Sequence, residues 1–217
     1  MLIPWRVKNL ISSRFPLFYH VMANMGIQGN SSEHWDSRLD EAWDAPIADW
    51  PTKNRLVASL TSPSELILDL GCGTGSILRY LKKQGFSHLH GLEISGYAIK
   101  RLRADGITMH LGKLPSVPLP DNTFDVVIAS QVLEHLVRRG RFLREVRRIL
   151  KPGGRALIFV PDDCLGPIDE PEHVIKFTAL SLRKLLEAHF AVTSVESMRD
   201  VNHSMPVLFA AVEKPTT

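Results

Sequence analysis

Cysteine is nearly absent. The 217 residues carry two, Cys72 and Cys164, far apart and one of them inside a glycine-rich turn. That is no disulfide framework, so both thiols are expected reduced and the compartment cytoplasmic. Long apolar runs are missing too, and none reaches the length that crosses a bilayer. The N-terminal stretch lacks a secretory signal's apolar centre, because Arg6, Lys8 and Arg14 interrupt it. Internal repeats and low-complexity tracts are absent. The histidines are scattered without metal-ligand spacing, so no metal is expected. Neither sign of charge dominates, and a net +3 says little about partners. What remains is an ordinary globular composition, long enough at 217 residues for one domain with a substantial core.

Against that background one stretch stands out, Leu66-Ile67-Leu68-Asp69-Leu70-Gly71-Cys72-Gly73-Thr74-Gly75. Its apolar start is long enough for a buried strand and too short for a helix. Three glycines then alternate, and an amphipathic segment follows over 76–84, with Ile77, Leu78 and Leu81 on one face and Arg79, Lys82 and Lys83 on the other. In a strand–turn–helix unit, bare backbone N–H groups at the helix start meet a ligand's polar atoms. Without a Cβ, Gly71, Gly73 and Gly75 let the main chain come close to it. The spacing is G-x-G-x-G, not the G-x-G-x-x-G of dinucleotide folds. Asp69 precedes it by two residues, and a carboxylate there suits an ammonium or sulfonium and sits poorly beside a pyrophosphate. Glu93 ends a second strand, 89–94, where an acid can accept both hydroxyls of a ribose. Cys72 in the turn and Ile94 after Glu93 belong to the same two loops and join the candidate cofactor contacts.

These residues, with Phe124-Asp125-Val126-Val127-Ile128, Leu133-Glu134-His135-Leu136 and Leu150-Lys151-Pro152-Gly153-Gly154, resemble the ordered motifs of class I S-adenosylmethionine-dependent methyltransferases, and among them the small-molecule and ubiquinone-biosynthesis O-methyltransferases. The resemblance covers roughly residues 50–215. It implies an α/β, Rossmann-like, doubly wound sheet of seven strands in the order 3-2-1-4-5-7-6, the last strand antiparallel, with helices N-terminal to it. It also implies S-adenosyl-L-methionine as cofactor and S-adenosyl-L-homocysteine as product. We expect an N-terminal helical arm and lid over 1–50 and the cofactor-binding domain over 51–217.

Within 1–28, Trp5, Val7, Leu10, Ile11, Phe15, Leu17, Phe18 and Val21 are apolar and the charged side chains are Arg6, Lys8 and Arg14. Such a basic arm suits an anionic membrane surface or a partner; the plainer reading is packing on the domain or across a dimer interface. Over 33–49, Trp35, Leu39, Trp43 and Ile47 recur every four residues as a helical stripe beside an acidic face. His34-Trp35-Asp36 resembles a signature whose helix covers the active site in related enzymes. A helix over 51–60 starts at a proline. There Asn54-Arg55 resembles an Asn-Pro-x-Arg segment whose arginine meets the cofactor's carboxylate, a match for a guanidinium fork. After a helix over 96–105 and a strand over 107–110, relatives carry an Asp for the adenine amino group. Here Gly112-Lys113-Leu114 stands instead, and lysine cannot accept that hydrogen bond. The backbone of Lys113 and Leu114, or another side chain, is left for the adenine.

A fourth strand over 124–129 ends at Ser130 and Gln131, which should border the methyl donor at the switch point of the sheet. His135 is a candidate base or a brace for its loop. The helix over 140–150 gathers Arg141, Arg144, Arg147 and Arg148, flanked by Arg138, Arg139 and Lys151. It is either an anionic docking face or a solvated one whose basic end suits the helix dipole; base-stacking aromatics are not interleaved with it. Lys151-Pro152-Gly153-Gly154 should turn into a fifth strand over 155–160. His173, after an acidic loop, is the first candidate for a general base, with a capping or surface role as the alternative. Thr178 should cap a helix over 178–189, and strands over 190–197 and 207–212 close the chain, with His203 between them facing the substrate side.

The expected function is methyl transfer to a small-molecule acceptor, most simply a hydroxyl of a sugar, glycan or secondary metabolite. Two rivals stand: an RNA or protein methyltransferase that docks its substrate on the Arg-rich helix 138–148, and a non-catalytic cofactor-binding partner subunit. The lack of an Asn-Pro-Pro-Tyr-type motif after the fourth strand argues against a nucleobase amino group. Oligomeric state is not legible.

Overall fold

The computed structural model describes residues 14–15, 18, 31–45, 50–162, 173, 175–201 and 206–216. Most of the N-terminal arm, Ile47, the acidic loop at 163–172 with Cys164, and His203 lie outside the described residues.

The chain alternates strands and helices: α1 (Ser32–Ala42), α2 (Pro51–Ser59), β1 (Ile67–Leu70), α3 (Ser76–Lys83), β2 (Leu89–Glu93), α4 (Gly96–Ala104), β3 (Thr108–Leu111), β4 (Phe124–Ser130), a single 3-10 turn (Leu133–His135), α5 (Arg139–Ile149), β5 (Leu150–Pro161), α6 (Ala179–Glu187), β6 (Ala191–Arg199) and β7 (Pro206–Glu213). The seven strands form one sheet in the order β3-β2-β1-β4-β5-β7-β6. β3, β2, β1, β4 and β5 run parallel, and β7 is antiparallel to both of its neighbours. This is the doubly wound order expected from the sequence.

Both faces of the central strands are covered, which is why β1, β4 and β7 read as nearly unbroken apolar runs, while the edge strands β3 and β6 are partly exposed. Alternation along each strand divides the core. Ile67, Val126, Ile128, Leu157 and Phe159 pack with Val57 of α2, Ile77, Leu78 and Leu81 of α3, and Ile99 and Leu102 of α4. Leu68, Leu70, Val127, Ala129, Ile158 and Val160 pack on the other face with Phe142, Leu143 and Val146 of α5 and Leu182 and Leu186 of α6. One residue of slip would exchange the two sets. Helix ends are fixed by side chains the sequence announces. Ser31 caps α1, Ser95 caps α4, and Thr178 with Ser181 forms a reciprocal box at α6.

Two boundaries depart from expectation. The helical stripe stops early, because α1 ends at Ala42 with Trp43 as its cap. The segment Lys151-Pro152-Gly153-Gly154 is no turn before a strand; it lies inside β5, which starts at Leu150. The pairing with β4 slips between Phe124 and Val126, and Gly153 sits at φ +74°. A Cβ on Gly154 would stand 2.9 Å from the Lys151 carbonyl oxygen. The segment is a glycine-built irregularity that lets one long strand pair on both sides.

Candidate functional site

β1 sends its connections to β2 on one side while β4 lies on the other, so a crevice opens at their carboxyl ends. It holds a cavity of about 410 Å³, within the range of small-molecule sites. Its floor is the glycine turn. Gly71 and Gly73 border it at φ +68° and +53°, and a Cβ on Gly71 would press to 3.0 Å from Val132. Cys72 lines it too, and burial together with the Glu93 and Asp69 carboxylates pushes its thiol up, away from thiolate chemistry. Gly75 does not border the cavity. It is the left-handed N-cap of α3, and a Cβ there would run into Leu102 of α4. Of the three glycines it is the one placed outside the cavity wall, where α3 packs on α4.

Glu93 ends β2 with its carboxylate held from three sides. Gly73 N–H donates to Oε2 at 2.9 Å, and Ile94 and Ser95 N–H donate to Oε1 at 2.7 and 3.1 Å. Burial raises its pKa and these donors oppose the rise. A carboxylate so held keeps lone pairs for further hydroxyl donors. Asp69, 2% exposed, is pushed up to about 7, chiefly by burial; the Lys53 charge pulls it down and Glu93 adds to the rise. Its Oδ1 is buried with no hydrogen-bond partner among the described residues, and the same is true of Gln131 Nε2. Gln131 borders the cavity at φ +58°, a left-handed conformation that a non-glycine residue rarely takes. Ile94, Gly112, Lys113, Leu114 and Ser130 complete this side of the wall, with the Lys113 residue itself exposed.

Of the two cations on α2, Arg55 is exposed and does not border the cavity, whereas Lys53, 4% exposed, does. Two residues apart on a helix is about 200° of rotation, so only one of them can face inward. Lys53 Nζ donates to Ser130 Oγ at 2.8 Å and lies 4.1 Å from the centre of the Trp50 ring. Its charge acts on two buried carboxyls, Asp69 and Glu134. The helix that carries it is pinned at its start: Asp200 Oδ2 accepts from Thr52 and Lys53 N–H, each at 2.9 Å, and Asn54 Nδ2 donates to Ser76 Oγ of α3 at 2.9 Å. Sequence reasoning missed Lys53. The signal was Val57, four residues on and fully buried, which marks the inward face of α2.

Across the cavity, α1 presents Trp35, Arg38 and Leu39. Asp36 fastens this helix to the loop after Glu93, accepting from Ser95 Oγ at 2.5 Å and Tyr97 N–H at 3.1 Å. Trp35 meets His135 edge-on at 5.4 Å, and His135 meets His173 edge-on at 4.9 Å; all three line the cavity. Beside them Glu134 is buried and pushed up to about 8 by burial, against the pull of Lys53. The scattered histidines of the sequence thus become a cluster: one ligand atom each from Glu134, His135 and His173 lies within 4.8 Å of the others. That corrects the expectation of no metal-competent grouping. Two arginines of α5 act as tethers, while Arg141, Arg144 and Arg147 are exposed. Arg148 donates to Asp121, Glu145 and the carbonyls of Val117 and Leu119, and Arg139 to the Leu136 carbonyl.

Residues 68–158 match a family model described as a methyltransferase domain. Glycine/sarcosine/dimethylglycine N-methyltransferase of Actinopolyspora halophila is 30% identical over 212 residues, 90% of this chain and 36% of that protein. Probable tRNA methyltransferase 9B of Mus musculus is 32% identical over 114 residues, 51% of this chain and 25% of that protein. A crystal structure of a SAM-dependent methyltransferase from Aquifex aeolicus superposes with a TM-score of 0.64 at 20% identity, covering 82% of this chain and 98% of that one, a likeness of fold. The chain spans about a third or less of the length of these curated relatives. No helix among the described residues is long and apolar enough to cross a membrane.

Proposed function

We propose that the chain is a class I S-adenosylmethionine-dependent methyltransferase, as its match to a methyltransferase-domain model and to methyltransferase relatives supports, that its cavity holds S-adenosylmethionine and that the protein transfers the methyl group to a small-molecule acceptor, most simply a hydroxyl. The observation that carries this is the pairing of two buried carboxyls, Asp69 and Glu93, at adjacent strand ends above a glycine floor. The donor set fits. Asp69 offers an unpartnered oxygen to the amino acid's ammonium, Glu93 offers lone pairs to the ribose hydroxyls, and Lys53 stands where a carboxylate would need a cation. Backbone groups of Lys113 and Leu114 serve the adenine.

Bound there, the cofactor supplies a methyl carbon on sulfonium, whose departure as a neutral thioether needs no acid. The protein's share is therefore orientation of the nucleophile. Trp35 and α1 lid the cavity and exclude water; His173 or His135 takes the acceptor proton at an imidazole nitrogen. The engagement of Arg148 and Arg139 within the fold leaves the Arg-rich helix a weaker candidate for an RNA or protein substrate.

Calorimetric titration with S-adenosylmethionine and S-adenosylhomocysteine, with NAD as control, tests the reading. Binding of the first two is expected to vanish in Glu93→Ala and to survive Arg55→Ala. Binding that tolerates Glu93→Ala, or no binding by a folded wild type, would reject it.

A further inference from the structure

We propose that Glu134, His135 and His173 bind one divalent transition-metal ion of the zinc class, and that this ion receives the acceptor's hydroxyl oxygen. The ion itself stands on geometry alone; its meeting with an acceptor rests on the function proposed above.

Glu134 and His135 come from the 3-10 turn that follows β4, and His173 comes from a distant loop. Their ligand atoms lie mutually within 4.8 Å. Bonds of about 2.1 Å to a common ion need neighbours roughly 3 to 3.5 Å apart, so the widest of these separations closes by roughly 1.3 to 1.8 Å around it. Glu134 is 1% exposed, and both of its carboxyl oxygens are buried with no hydrogen-bond partner among the described residues. A carboxyl taken out of water and given no donor is costly. A cation at the imidazole nitrogens resolves that cost.

The donor set selects the ion. Two imidazole nitrogens and one carboxylate oxygen are the ligands of catalytic zinc and of other borderline first-row ions. Magnesium and calcium prefer all-oxygen shells. Three protein ligands leave at least one position open. His135 and His173 both border the cavity, on the side where Trp35 stands. An oxygen bound at the open position has its pKa lowered by the ion's charge, so its proton leaves to solvent water, and with the ion bound this replaces proton transfer to His173 or His135. The grouping therefore specifies oxygen acceptors over amines or carbon nucleophiles.

The test is calorimetry of ZnCl₂ alone into the untagged, chelator-stripped full chain, with S-adenosylhomocysteine titrated separately. One ion per chain is expected. Glu134→Gln and His173→Ala should each weaken it by about tenfold or more, with circular dichroism melts close to wild type. Cobalt-loaded protein should show visible bands that change in His173→Ala. No zinc binding by wild type, or equal binding by both variants, overturns the proposal. Should Glu134→Gln fail to fold, His173→Ala decides alone, since it alters a half-buried loop residue. Zinc binding without S-adenosylhomocysteine binding would reject the cofactor reading and leave the ion site standing; the converse would do the reverse.

Discussion

Replacing Asp69 with asparagine should make the ligand-free protein more stable at alkaline pH and worse at binding. The side chain is 2% exposed, and its pKa stands at about 7 because burial penalises the charge more than Lys53 rewards it. In the unfolded chain an aspartate titrates near 3.9. Between those values the folded protein holds a proton that the unfolded chain has released. The contribution of Asp69 to wild-type stability therefore falls as pH rises from about 4 to about 7 and is level above that. Roughly three units at about 1.4 kcal/mol each set a ceiling of about 4 kcal/mol on the cost of ionised Asp69 at pH near 8. Asparagine keeps the shape and never carries the charge. The variant should thus match wild type near pH 4 and exceed it by about 1 to 4 kcal/mol near pH 8, or roughly 2–4 °C in Tm per kcal/mol for a chain of this size. Loss of attraction to Lys53 draws the result toward the lower end. Urea melts followed by circular dichroism at several pH values measure the difference. A gap between the two proteins that does not change with pH would refute the reasoning, and so would a variant that is weaker at alkaline pH.

The same carboxyl predicts proton release on ligand binding: a cation beside Asp69 lowers its pKa, so near pH 7 S-adenosylmethionine should expel a fraction of a proton. Calorimetry in buffers of different ionisation enthalpy reads this as a buffer-dependent heat; a heat that ignores the buffer would contradict it. Gly75→Ala should cost on the order of 3 kcal/mol in urea melts, from its φ of +72° and the collision with Leu102, while the folded fraction keeps its affinity for S-adenosylhomocysteine. A matching loss of affinity would return Gly75 to the ligand wall.

The centre of the sheet was legible because β1 and β4 are buried on both faces and the turn after β1 is built of glycine. Apolar runs at 66–70 and 124–129 could be little else, and Asp69 and Glu93 follow from where those strands end. What escaped were the facts that depend on which atom a residue meets. Gly71 and Gly75 look alike in the motif, yet one faces the cavity and the other Leu102. Arg55 carried the resemblance, yet it is Lys53 that borders the cavity, a matter of helical rotation that Val57 would have decided. Glu134 and His135 are adjacent in sequence, but only the path of the chain to His173 makes them part of a cluster.

Asp200 gives the cavity a history. It leaves the end of β6, the edge strand, and grips the first turn of α2, 147 residues earlier in the chain. During synthesis α2, the glycine turn, Glu93 and Ser130 all emerge well before it. The helix bearing Lys53 therefore waits, its leading N–H groups answered by water, until the ribosome has delivered the far edge of the sheet. A core can condense around β1, β4 and their helices ahead of that moment, but the wall of the cavity that carries Lys53 is fastened only once β6 has emerged.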